Sequence, residues 1–276
     1  MPTDITLHHQ DCLAGMREME DATIDLTVTS PPYNLGINYN NYDDTQDRDA
    51  YLLWCCDWAR EVFRLLKDNG SFFLNVGASP SNPLFPHQIL LALTTPGFFH
   101  LQNTFHWIKS ITVDTTAGEQ ISVGHFKPIN SPRYVNDCHE YVFHLTKTGN
   151  VPLDRRGAGV PYADKSNIGR WKHTEGHDQR CRGNTWFIPY KTITSRDADR
   201  PHPASFPPAL VEQCLRLHGQ GKNTVLLDPF LGIGSSALAA RKQEIAQFTG
   251  FEIDAGYLSV AQERLNELET PDLFGV

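Results

Sequence analysis

One stretch near the C-terminus, Thr224-Val-Leu-Leu-Asp-Pro-Phe-Leu-Gly-Ile-Gly-Ser-Ser, constrains the fold more than any other. Val225, Leu226 and Leu227 form an apolar run that Asp228-Pro229 stops, the pattern of a buried strand ending at a carboxylate. Gly232 and Gly234 then supply a tight turn. Ser235 to Lys242 has helix-forming composition, with its N-terminus aimed back at that turn. A strand, a glycine turn and a helix N-terminus make a ligand-binding edge, because the free N–H groups of the helix converge there. Phe248-Thr-Gly-Phe-Glu-Ile-Asp254 reads as the next strand, and Glu252 at its end is placed to accept both hydroxyl hydrogens of a ribose.

The rest of the chain alternates between the two periodicities. Thr3 to Leu7 reads as a first strand and the residues after Asp11 as a short helix ending near Glu20. Ile24 to Thr29 is rich in β-branched residues and runs into Ser30-Pro31-Pro32-Tyr33, where two prolines forbid both helix and continued pairing and leave a stiff, exposed loop. Residues 36–49 are polar and turn-rich. Tyr51 to Lys67 has apolar residues at helical spacing, stopped by Asp68-Asn69-Gly70, with Trp54 and Trp58 expected in the core. Strands are expected at 71–76, 98–109 and 141–146, and helices at 88–94, 207–218 and 257–267. This alternation predicts an α/β fold: a mostly parallel sheet with helices on both faces.

Residues 147–200 break the pattern, being rich in Gly, Arg, Asp and Pro. Between Asp154 and Arg200 there are ten Lys and Arg against six Asp and Glu, inside a chain of net charge −8. Such asymmetry creates a positive face on a negative body. Six cysteines form no CxxC framework or disulfide pattern, and no run approaches the roughly 20 apolar residues of a membrane span. The start, MPTDITLHHQ, has no secretory pattern, so a reducing cytoplasm is expected.

Two motifs in this order, Thr29-Ser-Pro-Pro-Tyr33 and Asp228-Pro-Phe-Leu-Gly-Ile-Gly-Ser235, resemble those of the DNA amino-methyltransferases that use S-adenosylmethionine, in the β arrangement with the catalytic motif first. The resemblance implies a Rossmann-like methyltransferase fold. Residues 1–149 and 201–276 would form one catalytic body and 150–200 the main target-recognition insert. It assigns Ser30, Pro31, Pro32 and Tyr33 to catalysis. It assigns Asp228, Pro229, Phe230, Gly232, Gly234, Ser235, Glu252, Asp11, Cys12 and His202 to the cofactor, and Arg155, Arg156, Arg170, Lys172, Arg180 and Arg182 to DNA. Ile233 departs from the usual small polar residue between the glycines, and Ser235 stands where Thr is common. His139-Glu140 resembles a family position near the target base.

The physical reading agrees. An exocyclic base amine is a poor nucleophile because its lone pair is delocalised; acceptors around its N–H groups favour the pyramidal nitrogen of the transition state. Ser30 Oγ and the Pro31 carbonyl are such acceptors, and Tyr33 can stack on a base turned out of the duplex. A sulfonium methyl is already activated, so no strong base is required for attack. Carbon-5 cytosine chemistry needs a Cys nucleophile after proline, and the chain has no Pro-Cys pair. On the target base the family resemblance is divided: Ser30 at the first motif position resembles cytosine N4 members and Asn34 after the Tyr resembles adenine N6 members, a near-even balance tipped slightly to adenine. His173-x3-His177-x3-Cys181 lacks a fourth ligand, so no metal is assigned.

The partners implied are duplex DNA, a second copy in a homodimer suited to a palindromic site, and a companion restriction enzyme, with the protein working in the cytoplasm beside the nucleoid. RNA or protein-amide acceptors, and a decayed methyltransferase that only binds DNA, are the competing readings.

Overall fold

A computed structural model describes residues 2–34, 36, 39, 41–95, 97–109, 111–114, 120–123, 131–135, 137–170, 176–189, 205–219 and 221–269. The elements run β1 (Asp4–His9), α1 (Cys12–Arg17), β2 (Ile24–Thr29), α2 (Arg48–Leu65), β3 (Leu66–Val76), α3 (Phe85–Thr94), β4 (His100–Ile108), β5 (Ile111–Asp114), β6 (Gln120–Val123), β7 (His139–Thr146), β8 (Thr185–Phe187), α4 (Pro208–His218), β9 (Val225–Asp228), α5 (Ser235–Lys242), β10 (Gln247–Glu252) and α6 (Ala255–Glu269).

Eight of these strands form one sheet in the order β1-β10-β9-β2-β3-β7-β4-β8. It is parallel from β1 to β3, β7 runs antiparallel to both neighbours, and β8 returns parallel to β4. β5 and β6 pair separately as a hairpin.

The strands at the centre are buried on both faces, which is why they read as continuous apolar runs. Leu226 packs with Leu210, Val211 and Ala237 on one side of the sheet, while its neighbour Leu227 packs with Trp58 and Phe251 on the other. In β3, Phe72, Leu74 and Val76 enter the second cluster and Phe73 the first, the two-residue alternation of a pleated strand.

Helix boundaries differ from expectation where side-chain caps decide them. Asp47 caps α2 by accepting from Asp49 N at 3.0 Å and Ala50 N at 3.2 Å, so the helix begins before Tyr51. It ends at Leu65, because Leu66 turns extended at φ −64°, ψ 140°, and Asp68-Asn69-Gly70 lies inside β3 rather than closing the helix.

Part of the 150–200 segment belongs to the main sheet. β8 pairs with β4, and Trp186, 1% exposed, stacks on Phe105 with ring centroids 4.3 Å apart. A three-residue strand among glycines and arginines is too short for alternation to reveal.

Candidate active site

β2 and β9 are hydrogen-bonded neighbours through Leu26–Leu226 and Thr27–Leu227. From them the chain proceeds in opposite directions, β9 to β10 and β2 to β3, so their carboxyl ends flank the crevice where strand order reverses. Asp228 joins the two loops. Fully buried, it accepts from Thr29 Oγ1 at 2.5 Å, Ser236 Oγ at 2.5 Å and Phe230 N at 3.0 Å. Desolvation pushes its carboxyl up to about 6 against the opposing pull of these three donors. Asp228 sits behind the cleft wall and organises it, whereas Pro229, Phe230, Gly232 and Ser235 line the cleft itself.

Gly234 takes φ +79° as the N-cap of α5, and a Cβ there would stand 2.8 Å from that of Ala261. Gly232, at φ +54°, donates its N–H to Glu252 Oε2 at 2.8 Å, while Asp254 N donates to Oε1 at 2.9 Å. Burial raises the Glu252 carboxyl above its usual range, opposed by these backbone donors. Each carboxylate oxygen retains further acceptor capacity for a ligand. The cleft opens to solvent, and Gly232, Glu252, Phe230, Trp54 and Ser30 to Tyr33 line it together.

The opposite wall is Ser30-Pro31-Pro32-Tyr33. Tyr51 OH donates to the Pro32 carbonyl at 2.5 Å and fixes the proline pair. Ser30 Oγ and Tyr33 OH lie 2.6 Å apart. Tyr33 is 7% exposed, and its hydroxyl also meets Glu140 Oε2 at 3.1 Å, the Asn75 carbonyl at 3.3 Å and Asn75 Nδ2 at 2.9 Å. Asn75 Nδ2 donates to Glu140 Oε2 at 2.6 Å, and Lys109 Nζ forms an ion pair with Glu140 Oε1. Burial and the nearby Glu140 hold the Tyr33 phenol well above its usual range.

Residues 24–263 match the N6/N4 methyltransferase family model, described as DNA methylase. The chain belongs to this family. It is thus one of the DNA amino-methyltransferases, whose targets are adenine N6 and cytosine N4 and whose methyl donor is S-adenosylmethionine. Among curated relatives, the Type II methyltransferase M.ScaI of Streptomyces caespitosus is 32% identical, covering 99% of this chain and 84% of that one. The DNA adenine methyltransferase YhdJ of Escherichia coli K12 is 24% identical, covering 95% of this chain and 82% of that one. Among solved structures, the PvuII DNA methyltransferase (cytosine-N4-specific) aligns with a TM-score of 0.67 at 18% identity, over 100% of this chain and 89% of that one. A Thermus thermophilus protein complexed with S-adenosyl-L-methionine aligns with a TM-score of 0.62 at 25% identity, over 97% of this chain and 95% of that one.

In this methylase Asp11 caps α1, accepting from Ala14 N at 3.0 Å, and lines the cleft together with Cys12. Burial and Asp11 push the Cys12 thiol up. His202 and Lys172 lie outside the described residues, as do Trp171, His173, Tyr190 and Lys191. Ser205 and Phe206, a few positions after His202, line the cleft. His177 and Cys181 are exposed.

The arginines are not gathered at the cleft. The segment carrying Arg155 and Arg156 packs on the C-terminal end of α4, with Asp154 N donating to the Leu217 carbonyl at 2.8 Å, at the amino end of β9 and so opposite the cleft. Arg182 Nε donates to the Ala158 carbonyl at 3.2 Å; Arg170 and Arg180 are exposed.

Three site features escaped the motif reading. Trp54, expected in the core, lines the cleft beside Phe230 at 5.4 Å and Tyr42 at 5.6 Å between ring centroids. Asn41 donates to Asp254 Oδ2 at 2.7 Å and lines the cleft with Glu252. Asn75 and Lys109 carry no motif signal, being single polar residues in or beside apolar strands.

Proposed function

We propose that this enzyme methylates N4 of a cytosine turned out of duplex DNA. The observation that carries the reading is the single cleft with Gly232 and Glu252 on one wall and Ser30-Pro31-Pro32 on the other. The donor set suits S-adenosylmethionine: Glu252 for the ribose hydroxyls, Phe230 and Trp54 as aromatic walls, and Asp11 at the rim. Bound there, the cofactor supplies a methyl carbon activated by a positively charged sulfur. Ser30 Oγ and the Pro31 carbonyl accept from the amine N–H groups and favour the pyramidal nitrogen whose lone pair attacks. Tyr33, anchored through its hydroxyl, presents its ring to the base.

The state of Asn34 turns the balance between bases. At φ +53°, its Nδ2 donates to the Gln46 carbonyl at 2.8 Å and its Oδ1 accepts from Gln46 N at 2.7 Å. Its amide is spent on folding the loop, which supports cytosine N4, the base that Ser30 favours, over adenine N6. Incubation with unmethylated DNA and S-adenosylmethionine, then nucleoside mass spectrometry, tests this. N4-methylcytosine is expected; N6-methyladenine would return the assignment to adenine, and neither product would remove the methyl-transfer reading.

Exposed Arg170 is assigned to phosphate contact, with Lys172 beside it in sequence. A homodimer on a palindromic site fits the family, and a monomeric mass in light scattering would contradict it. Similarity to Type II methyltransferases supports a companion restriction enzyme and action beside the nucleoid. Among the described residues no helix is long and apolar enough to cross a membrane.

A further inference from the structure

Attack by an exocyclic amine leaves a proton to be disposed of. Once the nitrogen has bonded the methyl carbon and the carbon–sulfur pair has gone to sulfur, the nitrogen is cationic and must shed one hydrogen. The base is needed after attack, not before it. Resting on the methyl-transfer reading above, we infer that Ser30, Tyr33 and Glu140 form a proton relay that carries this hydrogen away from the cleft.

The geometry has a consistent direction. Ser30 is half-buried at the cleft wall with its hydroxyl 2.6 Å from Tyr33 OH; either oxygen could donate there, and with the one Tyr33 hydrogen on Glu140 it is Ser30 that donates. Tyr33 in turn donates to Glu140 Oε2 at 3.1 Å. With its own hydrogen turned toward Tyr33, Ser30 Oγ has lone pairs free to receive the amine proton. The transfer then balances. The N–H pair returns to nitrogen as the proton moves to Ser30 Oγ, the Ser30 proton moves to Tyr33 Oη, and the Tyr33 proton moves to Glu140 Oε2. Each hydroxyl ends neutral and the carboxylate ends as the acid, which solvent resets after product leaves.

The other groups around Glu140 fit this role. Lys109 occupies Oε1 and leaves Oε2 as the relay terminus. Asn75 donates to both Tyr33 OH and Glu140 Oε2, which holds the two oxygens in register. Gly77 lets them approach: a Cβ there would lie 3.0 Å from the Tyr33 ring and 3.2 Å from the Glu140 carboxyl. Burial discourages a tyrosinate, so Tyr33 passes a proton without holding a charge. Glu140 reaches the amine only through two hydroxyls and is a positioning and accepting residue rather than a catalytic one.

The test is single-turnover methylation of unmethylated duplex DNA by the full chain, with S-adenosylmethionine affinity measured alongside. Glu140→Gln and Tyr33→Phe are each expected to slow transfer by about 10²-fold, the scale of a lost proton-transfer step. Cofactor affinity should stay unchanged, the wild-type solvent deuterium isotope effect should be altered in both, and the double variant should be no slower than either single one. A wild-type rate in Glu140→Gln, losses that multiply, or an isotope effect that does not move would overturn the relay. Should Glu140→Gln fail to fold, Tyr33→Phe decides alone, because it leaves the Glu140–Lys109 pair intact. The wild-type arm separates the two claims: absence of any methylated base there defeats the methyl-transfer reading, not the relay.

Discussion

The loop after β9 and the loop after β2 face the same cleft but are held differently. The first is shaped by its own residues: Gly232 and Gly234 take left-handed backbone, and Asp228 binds Phe230 N and Ser236 Oγ two and eight positions away. The second depends on distant ones. Tyr51 anchors Pro32 from 19 positions away, and Glu140 anchors Tyr33 from 107. On the proposed reading, locally held backbone suits a wall that would only receive a cofactor. A side-chain network drawn from three other elements suits a wall whose hydroxyls must be aimed, and Thr29–Asp228 fixes the two walls in one frame.

The largest expected effect breaks that frame. Between pH 3.8 and about 6 the buried Asp228 keeps a proton that the unfolded chain has released. Its contribution to stability is therefore complete below pH 3.8 and lost as pH rises through about 6. At 1.36 kcal/mol per pH unit this is about 3 kcal/mol. Urea unfolding as a function of pH should show this slope in the wild type and its loss in Asp228→Asn; equal slopes would contradict the assignment.

Next comes the glycine wall. Gly234→Ala forces a side chain into left-handed backbone and against Ala261, a cost of about 2 kcal/mol that thermal unfolding should register together with weaker cofactor binding. Removing one aromatic wall with Trp54→Ala should weaken S-adenosylmethionine binding about tenfold in calorimetry and, because Trp54 also packs on Tyr51, Trp58 and Phe230, lower the thermal unfolding temperature as well. The smallest effect lies outside both loops: Arg170→Ala should reduce the salt slope of duplex binding by about 1, and an unchanged slope would remove it from the DNA contact.

How legible the site was follows from the same contrast. The glycine loop and Glu252 could be read from sequence because strand, turn and helix follow one another, and α5 falls at Ser235–Lys242 as its composition indicates. The Ser-Pro-Pro-Tyr loop was legible as a stiff rim, and of its support only Glu140 was marked in the sequence; Asn75 and Lys109 were not, since β3, β4 and β7 pairing brings them to Glu140 at long range. Trp54 packs against the second core cluster as expected and also lines the cleft, which helical spacing does not show, because spacing tells that a residue faces inward and not what lies beside it. β8 was hidden because three residues do not establish a period, and the hydrogen bonds of Asn34 to Gln46 were hidden because a side chain's partners are not visible in a motif.

The most direct test of the division between the two walls is Ser30→Ala, with cofactor affinity and single-turnover methylation measured on the same preparation. The account predicts unchanged S-adenosylmethionine affinity and a rate lower by about 10²- to 10³-fold, the scale of removing one aligned hydrogen-bonding group at a reacting centre. A wild-type rate, or a loss fully explained by weaker cofactor binding, would contradict it.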